Sequence, residues 1–192
     1  MKHNKLPGLL PEGPALPLPP VAGVTGLKDT GKTTLTCRLV ERLAQKGVRV
    51  CVLKHDPHDW EWEPQGTDTQ KARAAGAAGS ALLSQNKFSL CVQTPQPLEL
   101  GDILPLFSGF DLVLLEGFHQ SPWPRIELLR RNVPDTAENT RLPRSEPGQL
   151  IAVAADWPVK LPPDYDGVPV LDWNDIDGLL AALERVLPAL PR

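Results

Sequence analysis

Residues 21–34 read VAGVTGLKDTGKTT, and within them Gly26, Gly31, Lys32 and Thr33 satisfy G-x-x-x-x-G-K-[ST]. A short β-prone run, 21–25, precedes the motif, and a segment of helical period, 33–46, follows it. This is the strand–loop–helix context that a phosphate-binding loop requires. Glycines at 26 and 31 let the backbone turn tightly and present successive N–H groups. Together with the positive end of the following helix, those groups hold an anionic phosphate. Lys32 is placed to reach the β- and γ-phosphates of a nucleotide, and the Thr33 hydroxyl to ligate Mg²⁺. Asp29, Thr30 and Thr34 complete the loop and the helix start, and Lys28 reads as a solvated lysine near the phosphates.

Outward from the loop, Leu35, Leu39, Val40, Leu43 and Ala44 recur at helical spacing, with Arg38, Glu41, Arg42 and Gln45 opposite and Gly47 as a stop. Residues 48–53 (VRVCVL) form a nearly continuous apolar run, which suits a parallel strand covered on both faces. Residues 54–63 (KHDPHDWEWE) then gather histidines and carboxylates just beyond that strand's carboxyl end. Open α/β sheets bind ligands at that edge. Three readings of the loop stand. It lies beside the nucleotide phosphates, with Asp56 positioning Mg²⁺ or water; it forms a separate transition-metal site on His55 and His58; or it is a solvated acidic loop. Location favours the first, and the loop has neither a cysteine nor H-E-x-x-H to support a zinc site.

Further along, Thr67 and Asp68 start a helix that runs to Ala75, where Lys71 and Arg73 read as solvated charges. Residues 80–84 and 88–92 predict two short strands around the turn at Gln85-Asn86-Lys87. Residues 100–107 predict a short helix, in which Pro105 is tolerable only near the first turn. The run FDLVLLEGF, 110–118, places four apolar residues before Glu116 and Gly117. A buried strand ending in a carboxylate downstream of a P-loop is the Walker B arrangement, whose acid holds the Mg²⁺ shell or a water. The Gly117 N–H is expected near the γ-phosphate. Residues 124–130 (PRIELLR) predict another strand, and 131–148 a polar loop or lid. Residues 150–154 and 168–171 predict two more strands. Asn174 is the expected N-cap of a closing helix striped by Ile176, Leu179, Leu180, Leu183, Val186 and Leu187.

With 192 residues, 41% of them apolar, the chain can bury the core of one α/β domain. Residues 1–20, with prolines at 7, 11, 14, 17, 19 and 20, read as a proline-rich extension, and 21–192 as one nucleotide-binding domain. The expected fold is α/β, a P-loop NTPase in three α/β/α layers around a mostly parallel sheet. No apolar run reaches membrane-helix length, and no long apolar stretch marks a secretory signal. A net charge of -3 without a dense basic stripe argues against nucleic acid. The expectation is a cytoplasmic protein with neither membrane nor nucleic acid as partner. Cys37, Cys51 and Cys91, odd in number and without C-x-x-C, read as reduced core residues. Residues 88–92 or 126–130 are candidate edge strands for pairing between subunits.

The succession of P-loop, VLKHDPHDW, GTDT with an Ala/Gly helix, ALLS, DLVLLEGF and PRIELLR resembles the molybdopterin-guanine dinucleotide biosynthesis protein B (MobB) family, of the SIMIBI class of P-loop proteins. The likeness weakens through the polar loop and resumes at LIAVAAD and LDWNDIDGLL. It implies GTP binding with slow, Mg²⁺-dependent hydrolysis, a homodimer, and an adapter's role beside the MobA-like guanylyltransferase that joins GMP to molybdopterin. Gly26, Gly31, Lys32 and Thr33 match the family's P-loop, His55, Asp56 and His58 its histidine-rich cluster, and Glu116 and Gly117 its Walker B end. Lys32, Asp56 and Glu116 are thus the candidate catalytic residues, and Thr33, Asp56 and Glu116 the candidate Mg²⁺ ligands. No [NT]-K-x-D is present for guanine; Asp156, after a later strand, is positioned to accept from guanine N1 and N2. The alternative is a small-molecule kinase or ATP-dependent ligase, with 131–148 as its lid and Arg125, Arg141 and Arg144 as anion clamps.

Overall fold

The computed structural model describes residues 17–56, 63–131 and 142–187. Among these the chain divides into two compact units, one made of 17–55 and 107–187, the other of 56–106.

The larger unit is built on a six-stranded sheet. Its strands are β1 (Val21–Gly26), β2 (Val50–Lys54), β5 (Leu112–Glu116), β6 (Arg125–Leu129), β7 (Leu150–Ala155) and β8 (Val170–Asp172). They run in the order β2-β5-β1-β6-β7-β8, every neighbouring pair parallel. Parallel strands carry crossovers over their faces, so the central ones are apolar on both sides. All five residues of β5 and all five of β6 are buried. On one face, Leu35, Leu39 and Leu43 of helix α1 (Lys32–Gln45) and Leu179, Ala182 and Leu183 of helix α4 (Ile176–Val186) pack with Val24, Leu114, Ile126 and Leu128. The four-residue spacing along α1 produces that apolar stripe. On the opposite face, Leu129, Val153 and Ala155 pack against Trp157, Val159, Leu161 and Val168.

In the smaller unit, helix α2 (Asp68–Ala74) is capped by the Thr67 hydroxyl, which accepts from the Gln70 N–H. Strands β3 (Gly79–Leu83) and β4 (Phe88–Val92) form an antiparallel hairpin in the register Gly79↔Val92 to Leu83↔Phe88. A single helical turn, α3 (Leu100–Ile103), passes into a 3₁₀ turn over Leu104–Phe107. Pro105 lies within that turn. Its missing N–H and fixed φ suit the tighter winding better than an uninterrupted α-helix.

The α/β class and the mostly parallel sheet are as the sequence predicts, and four expectations are corrected. Residues 126–130 are no edge: β6 sits between β1 and β7. Its polar residues are internally satisfied, Glu127 accepting the backbone N–H of Arg144 at 2.8 Å and of Ser145 at 2.9 Å. Cys37 is exposed rather than core, because it lies on the outer side of α1, and Cys51 and Cys91 are half-buried. Asp175, not Asn174, caps α4, accepting from the Gly178 N–H at 2.9 Å while Asn174 accepts from Arg38. Either residue type caps well, and the chain enters the helix one residue later than the pattern suggests. The helix expected over 100–107 is divided at Leu104, as above.

Leu114 has no exposed surface and lies on β5, between β2 and β1. Leu114→Ala is expected to lower the unfolding free energy by about 3 kcal/mol, through lost transfer energy and the cavity left behind. Urea denaturation measures this, and a loss below about 1 kcal/mol would contradict the packing described.

Candidate nucleotide-binding site

The site begins where β1 leaves the sheet. Gly26 has φ 147°, and a Cβ there would stand 2.6 Å from the Leu128 carbonyl oxygen, so only glycine fits. The loop ends at Gly31, φ 94°, which is the N-cap of α1. Gly31 supplies no capping side chain, and the first turn of α1 contains no acidic residue. The leading N–H groups of this fourteen-residue helix therefore have no side-chain acceptor and lie at its positive end. That is the arrangement of an anion site. Lys28, Asp29, Thr33 and Thr34 are exposed on the loop and helix start. Asp29 is left-handed at φ 62°, alone among the described non-glycine residues.

Inside the loop, the Leu27 carbonyl accepts from the buried Thr30 hydroxyl at 2.8 Å and from Lys32 Nζ at 2.6 Å. The Lys32 ammonium is thus held on its own loop. Its burial lowers its pKa below the ordinary lysine value of 10.5, against the opposing pull of Glu116 and Asp29; nearby Lys54 lowers it further. An anion bound at the helix start would reverse that balance.

The parallel pairing of β1 with β5 brings Glu116, the expected Walker B acid, to this place, Val24 standing opposite it. Thr33 Oγ1 donates to Glu116 Oε1 at 2.8 Å, joining residues 83 apart in sequence. Glu116 is 4% exposed. A hydroxyl and a carboxylate oxygen in contact, beside a phosphate cradle, are hard donors of the kind Mg²⁺ takes, so the residues fit that ion. Lys54, at the end of β2, stands opposite Glu116 in the next strand pair and places its ammonium 3.7 Å from Oε1. No motif marks Lys54 in the sequence, although it heads the KHD cluster at the carboxyl end of β2.

The His55 N–H donates to the Glu116 carbonyl at 3.0 Å, and its ring meets that of Phe118 at 5.2 Å between centroids. The Gly117 N–H donates to the Val24 carbonyl at 3.2 Å, so the backbone donor expected at the γ-phosphate is engaged with β1. Asp56 is exposed and opens the smaller unit. His58 lies outside the described residues. Among the described residues, no group of three or more His, Cys, Asp and Glu side chains is placed to hold a metal ion.

Asp156 directly follows β7. Its Oδ2 accepts from Arg130 Nε at 2.9 Å and its Oδ1 from the Arg131 N–H at 3.1 Å. Arg130 in turn donates to the Thr30 carbonyl of the P-loop at 3.5 Å, and its guanidinium lies 3.7 Å from the centre of the Trp173 ring. Neither Arg130 nor Trp173 was legible as a site residue. Arg125 is not an anion clamp: it is 1% exposed. Its donors go to the carbonyls of Trp123 at 3.2 Å, His119 at 2.5 Å, Phe118 and Ser121. Arg144 uses its backbone N–H on Glu127, and Arg141 lies outside the described residues. Lys71 pairs with Asp68 and Arg73 with Glu63.

Among known proteins, an Escherichia coli protein named molybdopterin-guanine dinucleotide biosynthesis adapter protein is 34% identical over 165 residues, covering 83% of this chain and 89% of that protein. A Haemophilus influenzae protein of the same name is 32% identical over 144 residues, covering 74% of this chain and 78% of its own. The crystal structure of a MobB protein homolog from Bacillus stearothermophilus superposes with a TM-score of 0.60 at 25% identity, covering 88% of this chain and 97% of that one. The sequence model of the family described as molybdopterin guanine dinucleotide synthesis protein B matches residues 21–156, which hold β1, the P-loop, Glu116 and Asp156. The chain belongs to that family, MobB.

Proposed function

We propose that this protein is a GTP-binding adapter in the biosynthesis of molybdopterin guanine dinucleotide, assisting the guanylyltransferase that joins GMP to molybdopterin. One observation carries the nucleotide half of the reading: the Thr33 hydroxyl and the Glu116 carboxylate meet at 2.8 Å in front of a helix start with no capping side chain. The names of the Escherichia coli and Haemophilus influenzae relatives support the adapter half.

In this reading the first turn of α1 binds the phosphates through its N–H groups. Lys32 exchanges the Leu27 carbonyl for the β- and γ-phosphates, and phosphate charge restores its ordinary basicity. Thr33 and Glu116 hold Mg²⁺, which when bound neutralises charge on the phosphates. Glu116 also orients water for hydrolysis. Turnover is slow because the P-loop and Walker B motifs supply no arginine or glutamine at a fixed position to stabilise the transferring phosphoryl group. Asp156 accepts from guanine N1 and N2. A homodimer forms through the β3–β4 hairpin, where Leu82, Leu83 and Phe88 are 59%, 79% and 65% exposed. Large apolar side chains on a short open-edged hairpin favour a partner surface.

Lys32→Ala is expected to weaken GTP binding about a hundredfold, some 2.7 kcal/mol, in calorimetric titration with Mg²⁺. An affinity equal to the parent's would refute the phosphate assignment. For the dimer, sedimentation of Leu83→Asp/Phe88→Asp is expected to show monomer at concentrations where the parent is dimeric. A double variant that sediments as the parent does would rule out the hairpin interface.

A further inference from the structure

We infer that Arg130 is the positioning residue for guanine selectivity, holding the Asp156 carboxylate at a fixed place beside the P-loop; this rests on the GTP reading above. Three contacts on three different elements fix the guanidinium. Nε donates to Asp156 Oδ2 at 2.9 Å beyond β7, Nη1 donates to the Thr30 carbonyl at 3.5 Å in the P-loop, and the plane lies 3.7 Å from the Trp173 ring centre beyond β8. Each anchor is itself held. Thr30 is 2% exposed and bonded to Leu27, and the Trp173 N–H donates to the Ala155 carbonyl at 3.0 Å. Arg38 also approaches the Trp173 ring, at 4.9 Å. The same wall adjoins the start of α1: a Cβ on Gly31 would meet Arg130 Nη1 at 3.5 Å and Trp173 at 3.7 Å.

Asp156 is left with both orientation and capacity. Each carboxylate oxygen takes one fixed donor, Arg130 Nε and the Arg131 N–H, and retains lone pairs for others. The side chain is 23% exposed. Guanine offers adjacent N1–H and N2–H donors along one edge; adenine places an acceptor nitrogen at position 1. A carboxylate held in register therefore gains with guanine and repels adenine. If the carboxylate can rotate, that difference shrinks. Lysine in place of Arg130 keeps the charge but loses the Nε–H donor and the flat face against Trp173, so it cannot set the carboxylate's angle.

A merely structural Arg130 would support both nucleotides alike, so the informative readout is the ratio of affinities. The parent, Arg130→Lys and Arg130→Gln are titrated with GTP and with ATP in Mg²⁺. The parent is expected to prefer GTP tenfold or more. Both variants are expected to lose at least fivefold of that preference, mainly through weaker GTP binding. An unchanged ratio, whether the two affinities hold or fall together, overturns the inference and leaves the GTP reading standing. A parent that does not prefer GTP overturns the guanine reading itself, and the role of Arg130 with it.

Discussion

The hydrogen bond from Thr33 to Glu116 is the contact around which the rest of this molecule is arranged. It requires β1 and β5 to be parallel neighbours in register, so that one strand ends in the loop and the other in the acid. That pairing in turn requires both strands to be buried on both faces, since parallel neighbours are connected over the top of the sheet. The apolar runs of β1 and β5 and the leucine stripe of α1 satisfy this requirement. Core packing and site chemistry are thus one constraint: the residues that drive the sheet together also set the distance between hydroxyl and carboxylate.

Charge around that contact suits the phosphate ligand proposed above. Lys32 and Lys54 converge on Glu116, one lysine from the P-loop and one from β2, with the α1 N-terminus beside them. Buried Glu116 and exposed Asp29 both favour the Lys32 ammonium, but together they do not offset what burial costs it. Desolvation without full compensation is what lowers the Lys32 pKa. Arg130 extends the same economy to the other side of the loop, where a partly buried cation is satisfied by Asp156, a carbonyl and an aromatic face. Both sides of the P-loop are consequently preorganised, so less ordering remains for a ligand to induce.

Much of this was legible in the sequence, because the P-loop is a local motif and the parallel strands are local apolar runs. What was not legible depends on strand order. Lys54 and Arg130 reach the site only because β2 lies beside β5 and β6 lies beside β1, and periodicity carries no information about neighbours. The misreading of β6 as an edge has a related cause. RIELL alternates like a half-exposed strand, yet Arg125 is satisfied by loop carbonyls and Glu127 by two backbone N–H groups, so the polar residues are buried. Asp156 stands out in the sequence by its place after a strand, but its hydrogen-bond partner does not, since Arg130 precedes it by 26 residues.

The most direct test is a crystal structure with a non-hydrolysable GTP analogue and Mn²⁺, whose anomalous signal locates the metal independently of the protein. The account predicts phosphate oxygens on the first-turn N–H groups of α1, Lys32 moved from the Leu27 carbonyl to the phosphates, and the anomalous peak between Thr33 Oγ1 and the Glu116 carboxylate. A nucleotide bound elsewhere, or a metal without Thr33 and Glu116 around it, would contradict it.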